Sequence, residues 1–140
     1  MNKKIKYGIV GAGHLGRFHV QQILNINIVD LVGVYDLVAS KSKIISDEFK
    51  IKPFKDLSLL LSRCEAISIC TPASHHYKIA SLALKNNCHL FIEKPITSNY
   101  KDACKIVALN KQYNKKIQVG HIERFNPAFS AFLKFNPKPL

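Results

Sequence analysis

"YGIVGAGHLGRFH", residues 7–19, sets three glycines at the spacing G-x-G-x-x-G directly behind a short apolar run. By itself the pattern fits either a phosphate cradle or a glycine-softened turn, and the flanking residues decide between them. Upstream, "KIKYGIV" (4–10) is an apolar run ending in glycine and reads as a buried strand. Downstream, apolar residues recur at helical spacing: Leu15, Phe18 and Ile23, with Val20 and Leu24 beside them. Between a strand and a helix the glycines have separate duties. Gly11 permits the tight turn, Gly13 keeps side-chain atoms away from a pyrophosphate, and Gly16 lets the helix pack closely on the strand. The helix N-terminus then offers unpaired N–H groups and a partial positive charge to phosphates. Ala12, His14 and Leu15 complete this candidate loop, with the His14 side chain expected on the helix surface.

A dinucleotide site also needs an acid at the end of the second strand. Asp36 closes "LVGVYD", 20 residues after Gly16. Its carboxylate is suited to accept hydrogen bonds from the ribose hydroxyls and to repel a 2′-phosphate. NAD is therefore the expected cofactor, with Lys41 and Lys43 nearby keeping NADP as the lesser alternative.

The rest of the chain repeats the alternation. "NIVDLVGVYD" (27–36), "EAISICTP" (65–72), "CHLFIEKP" (88–95) and "KKIQVGH" (115–121) read as strands. Helices are expected from a Ser40 cap to about Lys50, over 56–62, from Ser74 to Asn86-Asn87, and over 98–113. In the last, Ala103, Ile106, Val107 and Asn110 share one side. Pro53 is read as a stop after the second helix and Pro72 as a strand end. Strand and helix in strict turn predict an α/β fold, a doubly wound, mostly parallel sheet of the Rossmann dinucleotide-binding kind. That domain is expected over 1–121. The tail, 122–140, differs: Phe125, Phe129, Phe132 and Leu133 fit one face of a helix opening near Pro127, with Pro137 and Pro139 ending it. Phe129 and Phe132 are expected to pack on the domain itself or on another copy.

Composition narrows the function classes. The chain has 140 residues, 47% hydrophobic and 21% charged, enough for an ordinary globular core. The formal charge is +12, yet only three of the 21 basic residues are Arg and the lysines are spread along the chain. No aromatic–basic interleaving marks a nucleic-acid site, so none is expected. No stretch reaches the ~20 apolar residues that span a bilayer. The apolar run near the start is interrupted by His14 and Arg17, unlike a secretory signal. Cys64, Cys70, Cys88 and Cys104 form no C-x-x-C pair and are read as reduced thiols. A cytoplasmic protein without a metal site is the expectation.

"GIVGAGHLGRFH", "TPASHHYKIA", "FIEKPIT" and "VGHIERFNPA" together resemble the Gfo/Idh/MocA family of oxidoreductases, in the right order over essentially the whole chain. The resemblance implies that Gly11, Gly13 and Gly16 bind the pyrophosphate and Asp36 the ribose. It places Thr71, Pro72 and His76 along the cofactor. It assigns Glu93, Lys94 and Pro95 to the family's E-K-P motif, whose lysine lies beside the nicotinamide and the reacting hydroxyl, often before a cis proline. Independently, Lys94 falls at a strand's C-terminal end, where open α/β sheets bind ligands, and its ammonium suits a developing alkoxide. Glu93 is expected to orient it. His121, Arg124 and Asn126 are candidate substrate residues. His19 fits the G-x-x-H that follows the glycine loop and is read as structural, and His75 as a surface residue.

Family members are usually more than twice this length, and their second domain supplies most substrate contacts. The resemblance thus implies an NAD-dependent sugar or nucleotide-sugar dehydrogenase represented by its cofactor domain, with a missing substrate domain beginning in the tail. A homo-oligomer, or pairing with a separate C-terminal half, is the expected assembly, and a small-molecule sugar or nucleotide sugar the expected substrate. The alternative is a stand-alone NAD-binding module, or a truncated fragment, without turnover.

Overall fold

The computed structural model describes residues 3–135. Its strands are β1 (Ile5–Val10), β2 (Val29–Tyr35), β3 (Pro53–Phe54), β4 (Ala66–Ile69), β5 (His89–Ile92) and β6 (Ile117–Val119). They form one sheet in the order 3-2-1-4-5-6, every neighbouring pair parallel. The helices are α1 (His14–Leu24), α2 (Ala39–Phe49), α3 (Leu57–Leu61), α4 (Ala73–Lys85), α5 (Tyr100–Tyr113) and α6 (Pro127–Lys134), with a 3₁₀ turn over Ile122–Phe125.

Parallel strands need a crossover between each pair, and the crossovers cover both faces. On one face α1 and α2 pack Val20 and Ile45 against Ile9 and Val34. On the other, α3, α4 and α5 pack Leu60, Ile79, Leu84 and Ile106 against Ile67, Ile69, Leu90 and Ile92. Burial of each such side chain is worth roughly 1.5–3 kcal/mol. The strand order reverses beside β1, since β2 and β4 flank it. A crevice at the carboxyl ends of β1 and β4 is therefore the place for a ligand.

Several expectations need correction. Ser40 does not cap α2; it lies in the first turn, and Val38 is the cap residue. Asp36 is the cause: its Oδ1 accepts from Val38 N at 2.8 Å and starts the helix early. Pro53 is no mere stop, because Lys50 ends α2 in the left-handed region and Pro53 opens the short edge strand β3. An edge strand tolerates a residue without an N–H. The apolar stripe on α1 is turned from the one read in the sequence. Leu15, Phe18 and Leu24 are 44%, 43% and 48% exposed, while Gly16 and Val20 are buried. The helix docks by its glycine, so residues 16, 19/20 and 23 face inward. On α5, likewise, Ile106 is buried but Val107 is 57% exposed.

The tail helix α6 forms where expected, with Asn126 as its cap and Pro127 in its first turn. It buries none of its residues, and Phe129, Phe132 and Leu133 stay exposed. The expected packing of Phe129 and Phe132 on the domain does not occur. The stop read at Pro137 and Pro139 lies outside the described residues.

Candidate functional site

The glycine loop is shaped by contacts that forbid side chains at two positions and leave the third open. Gly11 has φ +102°, and a Cβ there would lie 2.7 Å from the Cys70 carbonyl carbon. A Cβ on Gly16 would run into the Gly11 carbonyl oxygen. Both glycines serve the close approach of α1 to β1 and β4. Gly13 is different: its backbone is extended, at φ −83°, and nothing lies within 4 Å of its Cβ position. Fold packing does not require a glycine there, but a ligand lying on the backbone would.

Beside it, α1 begins without a side-chain cap and without an acid in its first turn. The first intrahelical bond runs from Arg17 N to Gly13 O at 3.0 Å. The amides of His14, Leu15 and Gly16 precede that bond and have no helical acceptor. They are donors at the positive end of a helix dipole, the arrangement that receives a diphosphate. Asp36, at the end of β2, holds the loop: its Oδ2 accepts from Ala12 N at 2.7 Å. Each carboxylate oxygen accepts one backbone N–H and keeps a lone pair for another donor. The residues present fit NAD by this test, with open space over Gly13, free amides behind it and an acid beside them.

The sheet brings the other candidates to the same edge, after β4, β5 and β6. His76 is 1% exposed and turns inward. Its Nε2 lies 2.7 Å from the Thr71 carbonyl, and its Nδ1 lies 3.0 Å and 3.2 Å from the Pro95 and Ile96 carbonyls. Both ring nitrogens face backbone carbonyls, and a ring N–H donates to one of them, so His76 fills the space between the loop after β4 and the loop after β5. The Thr71 hydroxyl is buried with no partner, and Pro72 is exposed. The Lys94–Pro95 peptide is cis, and Lys94 itself is exposed.

Glu93 does not reach for the Lys94 ammonium. Its carboxylate, 7% exposed, accepts from His19 Nε2 at 2.8 Å and from the Lys94 amide at 3.2 Å. His19 Nδ1 meets Ser68 Oγ at 2.9 Å, which in turn meets Tyr7 Oη at 2.9 Å. Sequence reading passed over Ser68 and this use of His19. The available signal was Gly16: a packing glycine at 16 turns residue 19 toward the sheet. His121, Arg124 and Asn126 are all exposed beyond β6. The Asn126 side chain is occupied locally, accepting from Ala128 N and donating to Glu123. A depression of about 470 Å³, lined by Lys3, Lys6 and Arg63 among others, lies at the opposite, amino end of the strands.

Thiol chemistry is disfavoured here. Burial pushes Cys64 up to about 12 and Cys88 up to about 11. Burial first, then the Glu93 charge, pushes Cys70 higher still. Ellman's reagent is expected to label the exposed Cys104 in the folded protein and all four cysteines after unfolding. Among the described residues, no helix is long and apolar enough to cross a membrane, and no three His, Cys, Asp or Glu side chains are grouped to hold a metal ion.

Comparison with known proteins agrees with this geometry. A UDP-N-acetylglucosamine 3-dehydrogenase of Acidithiobacillus ferrooxidans is 34% identical over 124 residues, covering 89% of this chain and 39% of the relative. Its solved structure superposes with a TM-score of 0.87 at 31% identity, over 96% of this chain and 44% of that one. An inositol 2-dehydrogenase of Salmonella typhimurium is 28% identical over 131 residues, 89% of this chain and 39% of the relative. A Lactobacillus casei scyllo-inositol dehydrogenase, solved with NAD(H) and scyllo-inositol, matches at TM-score 0.85 and 27% identity, over 95% of this chain and 41% of that one. The chain therefore spans about two fifths of the length of these relatives. The Gfo/Idh/MocA family model, described as "Oxidoreductase family, NAD-binding Rossmann fold", matches residues 5–121. On that match, and on the glycine loop, acid and strand order that carry it, the chain belongs to the Gfo/Idh/MocA oxidoreductase family and forms its NAD-binding Rossmann domain.

Proposed function

We propose that this domain is the cofactor half of an NAD-dependent dehydrogenase acting on a sugar or nucleotide-sugar hydroxyl. The observation that carries it is the open space over Gly13 at the uncapped start of α1, with Asp36 fixed beside it. NAD, when bound, supplies the hydride acceptor. The chain's own residues do the rest. The amides of residues 13–16 bind the diphosphate, and Asp36 selects a ribose with free hydroxyls. The Lys94 ammonium, exposed at the carboxyl end of β5, donates a hydrogen bond to the substrate hydroxyl and stabilises the alkoxide as it forms. Thr71, Pro72 and His76 shape the wall between these groups. His121, Arg124 and Asn126 lie on the substrate side, and residues 122–140 open the substrate domain. The exposed Phe129 and Phe132 on α6 support that reading of the tail. We place the protein in the cytoplasm, where buried cysteines of this kind stay reduced.

NADH fluorescence titration tests the cofactor reading. NADH is expected to bind at least about tenfold more tightly than NADPH, because the Asp36 carboxylate opposes a 2′-phosphate. Equal affinity, or none, would count against it. Hydride transfer is then assayed with a panel of sugars and UDP-N-acetylglucosamine, with and without a separately expressed C-terminal half. Binding without turnover in either case would leave a stand-alone NAD-binding module as the better reading.

A further inference from the structure

Lys94 makes no side-chain hydrogen bond among the described residues, yet the turn that carries it is held firmly from below. The Glu93 carboxylate sits under that turn, 7% exposed, and its Oε2 accepts the Lys94 amide. Its Oε1 accepts from His19 Nε2, which comes from α1. The His19 ring stands edge-on to Phe91 of β5, with centroids 5.2 Å apart. Its other nitrogen is held by Ser68 of β4, itself 1% exposed and bonded to Tyr7 of β1. A β-carbon on Gly120 would come within 3.0 Å of Glu93 Oε2, so β6 closes the last side. The protons can be assigned without conflict. A carboxylate only accepts, so Nε2 carries hydrogen; Nδ1 then accepts from Ser68, and Ser68 accepts from Tyr7. A fully satisfied buried network of this kind fixes geometry.

We infer that His19 is a positioning residue for Lys94, acting through Glu93: it couples the helix of the glycine loop to the turn that presents the ammonium. α1 begins at the diphosphate end of the site, and the Glu93–Lys94 turn lies after β5 at the other. The network therefore sets the two ends relative to each other. The inference rests on the cofactor reading only for its functional meaning; its structural content stands on the Lys94 amide.

The test uses the whole chain in wild-type, His19→Ala, His19→Gln and Ser68→Ala forms. Amide hydrogen exchange at Lys94 is followed by NMR, with Leu90 as the control. Affinity is measured for NADH and for ADP-ribose, which lacks the nicotinamide. In His19→Ala, Lys94 exchange is expected to rise and NADH affinity to fall, each about tenfold, while Leu90 exchange and ADP-ribose affinity hold within about twofold. His19→Gln, which keeps an N–H for Glu93, is expected to recover most of both losses. Two results would overturn the inference: an unchanged Lys94 amide, or equal loss of NADH and ADP-ribose, which marks a merely structural histidine. Should His19→Ala not fold, Ser68→Ala carries the same test with a smaller shift of the same sign, and no shift overturns the inference. A wild-type chain that binds neither nucleotide sinks the cofactor reading instead, and Lys94 exchange still judges the positioning.

Discussion

Gly13→Val should abolish measurable NADH binding, a loss of about a hundredfold or more, and lower unfolding stability by only about 1 kcal/mol, the cost of a poorer helix cap. The two halves of that expectation come from different observations. Stability is largely preserved because Gly13 is extended, at φ −83°, and its Cβ position has nothing within 4 Å. With φ negative, that backbone does not demand a glycine. Binding is lost because that same space is where a diphosphate must approach the amides at the start of α1. Gly16→Ala is the complementary case. Its methyl group would overlap the Gly11 carbonyl oxygen, a backbone atom that cannot swing away. The α1–β1 contact must open, at a cost of about 3 kcal/mol. Urea unfolding and NADH titration of the two variants separate a glycine kept for a ligand from a glycine kept for packing. If Gly13→Val bound NADH like wild type, the diphosphate would not lie where the loop places it.

Sheet membership was largely legible because each long strand is an apolar run bounded by glycine, proline or an acid. Parallel strands buried on both faces need no alternation, and Ile9 and Val10 show why: adjacent on β1, they are buried in the cores of opposite faces. β3 was missed because two residues carry no period and Pro53 looks like punctuation. Asp36 and the glycines were legible through spacing, which is local. What sequence could not show is what each group touches. Glu93 was expected to orient the Lys94 ammonium, and instead it takes the Lys94 amide and His19. The histidine comes from α1, 74 residues away, and no local pattern encodes that distance. His19 was read as structural from the G-x-x-H spacing, but its partners Ser68 and Glu93 lie on β4 and after β5, out of reach of any local pattern. The exposed phenylalanines of α6 were legible as a helix face, and their lack of a partner was not.

His76 carries the second large effect. His76→Leu is expected to cost about 2–4 kcal/mol of stability, and His76→Asn less, because an amide keeps a donor. The ring is 1% exposed and faces carbonyl oxygens on two sides: Thr71 at 2.7 Å, then Pro95 at 3.0 Å and Ile96 at 3.2 Å. Leucine has about the right bulk but offers nothing to those carbonyls, and a buried acceptor left unpaired costs about 1–3 kcal/mol. The functional consequence follows from the loops involved. Thr71 lies after β4, beside the Gly11 turn, and Pro95 follows Lys94, so the histidine joins the diphosphate end to the lysine end from below the α4 face. His19 does the same from the α1 face. Loosening His76 should therefore weaken NADH more than ADP-ribose, while a residue that only filled the core would lower both equally or neither. Chemical denaturation and the paired titrations decide it. An NADH-to-ADP-ribose ratio unchanged in His76→Leu, with stability lowered, would assign His76 to packing alone and leave His19 as the sole brace on the lysine turn.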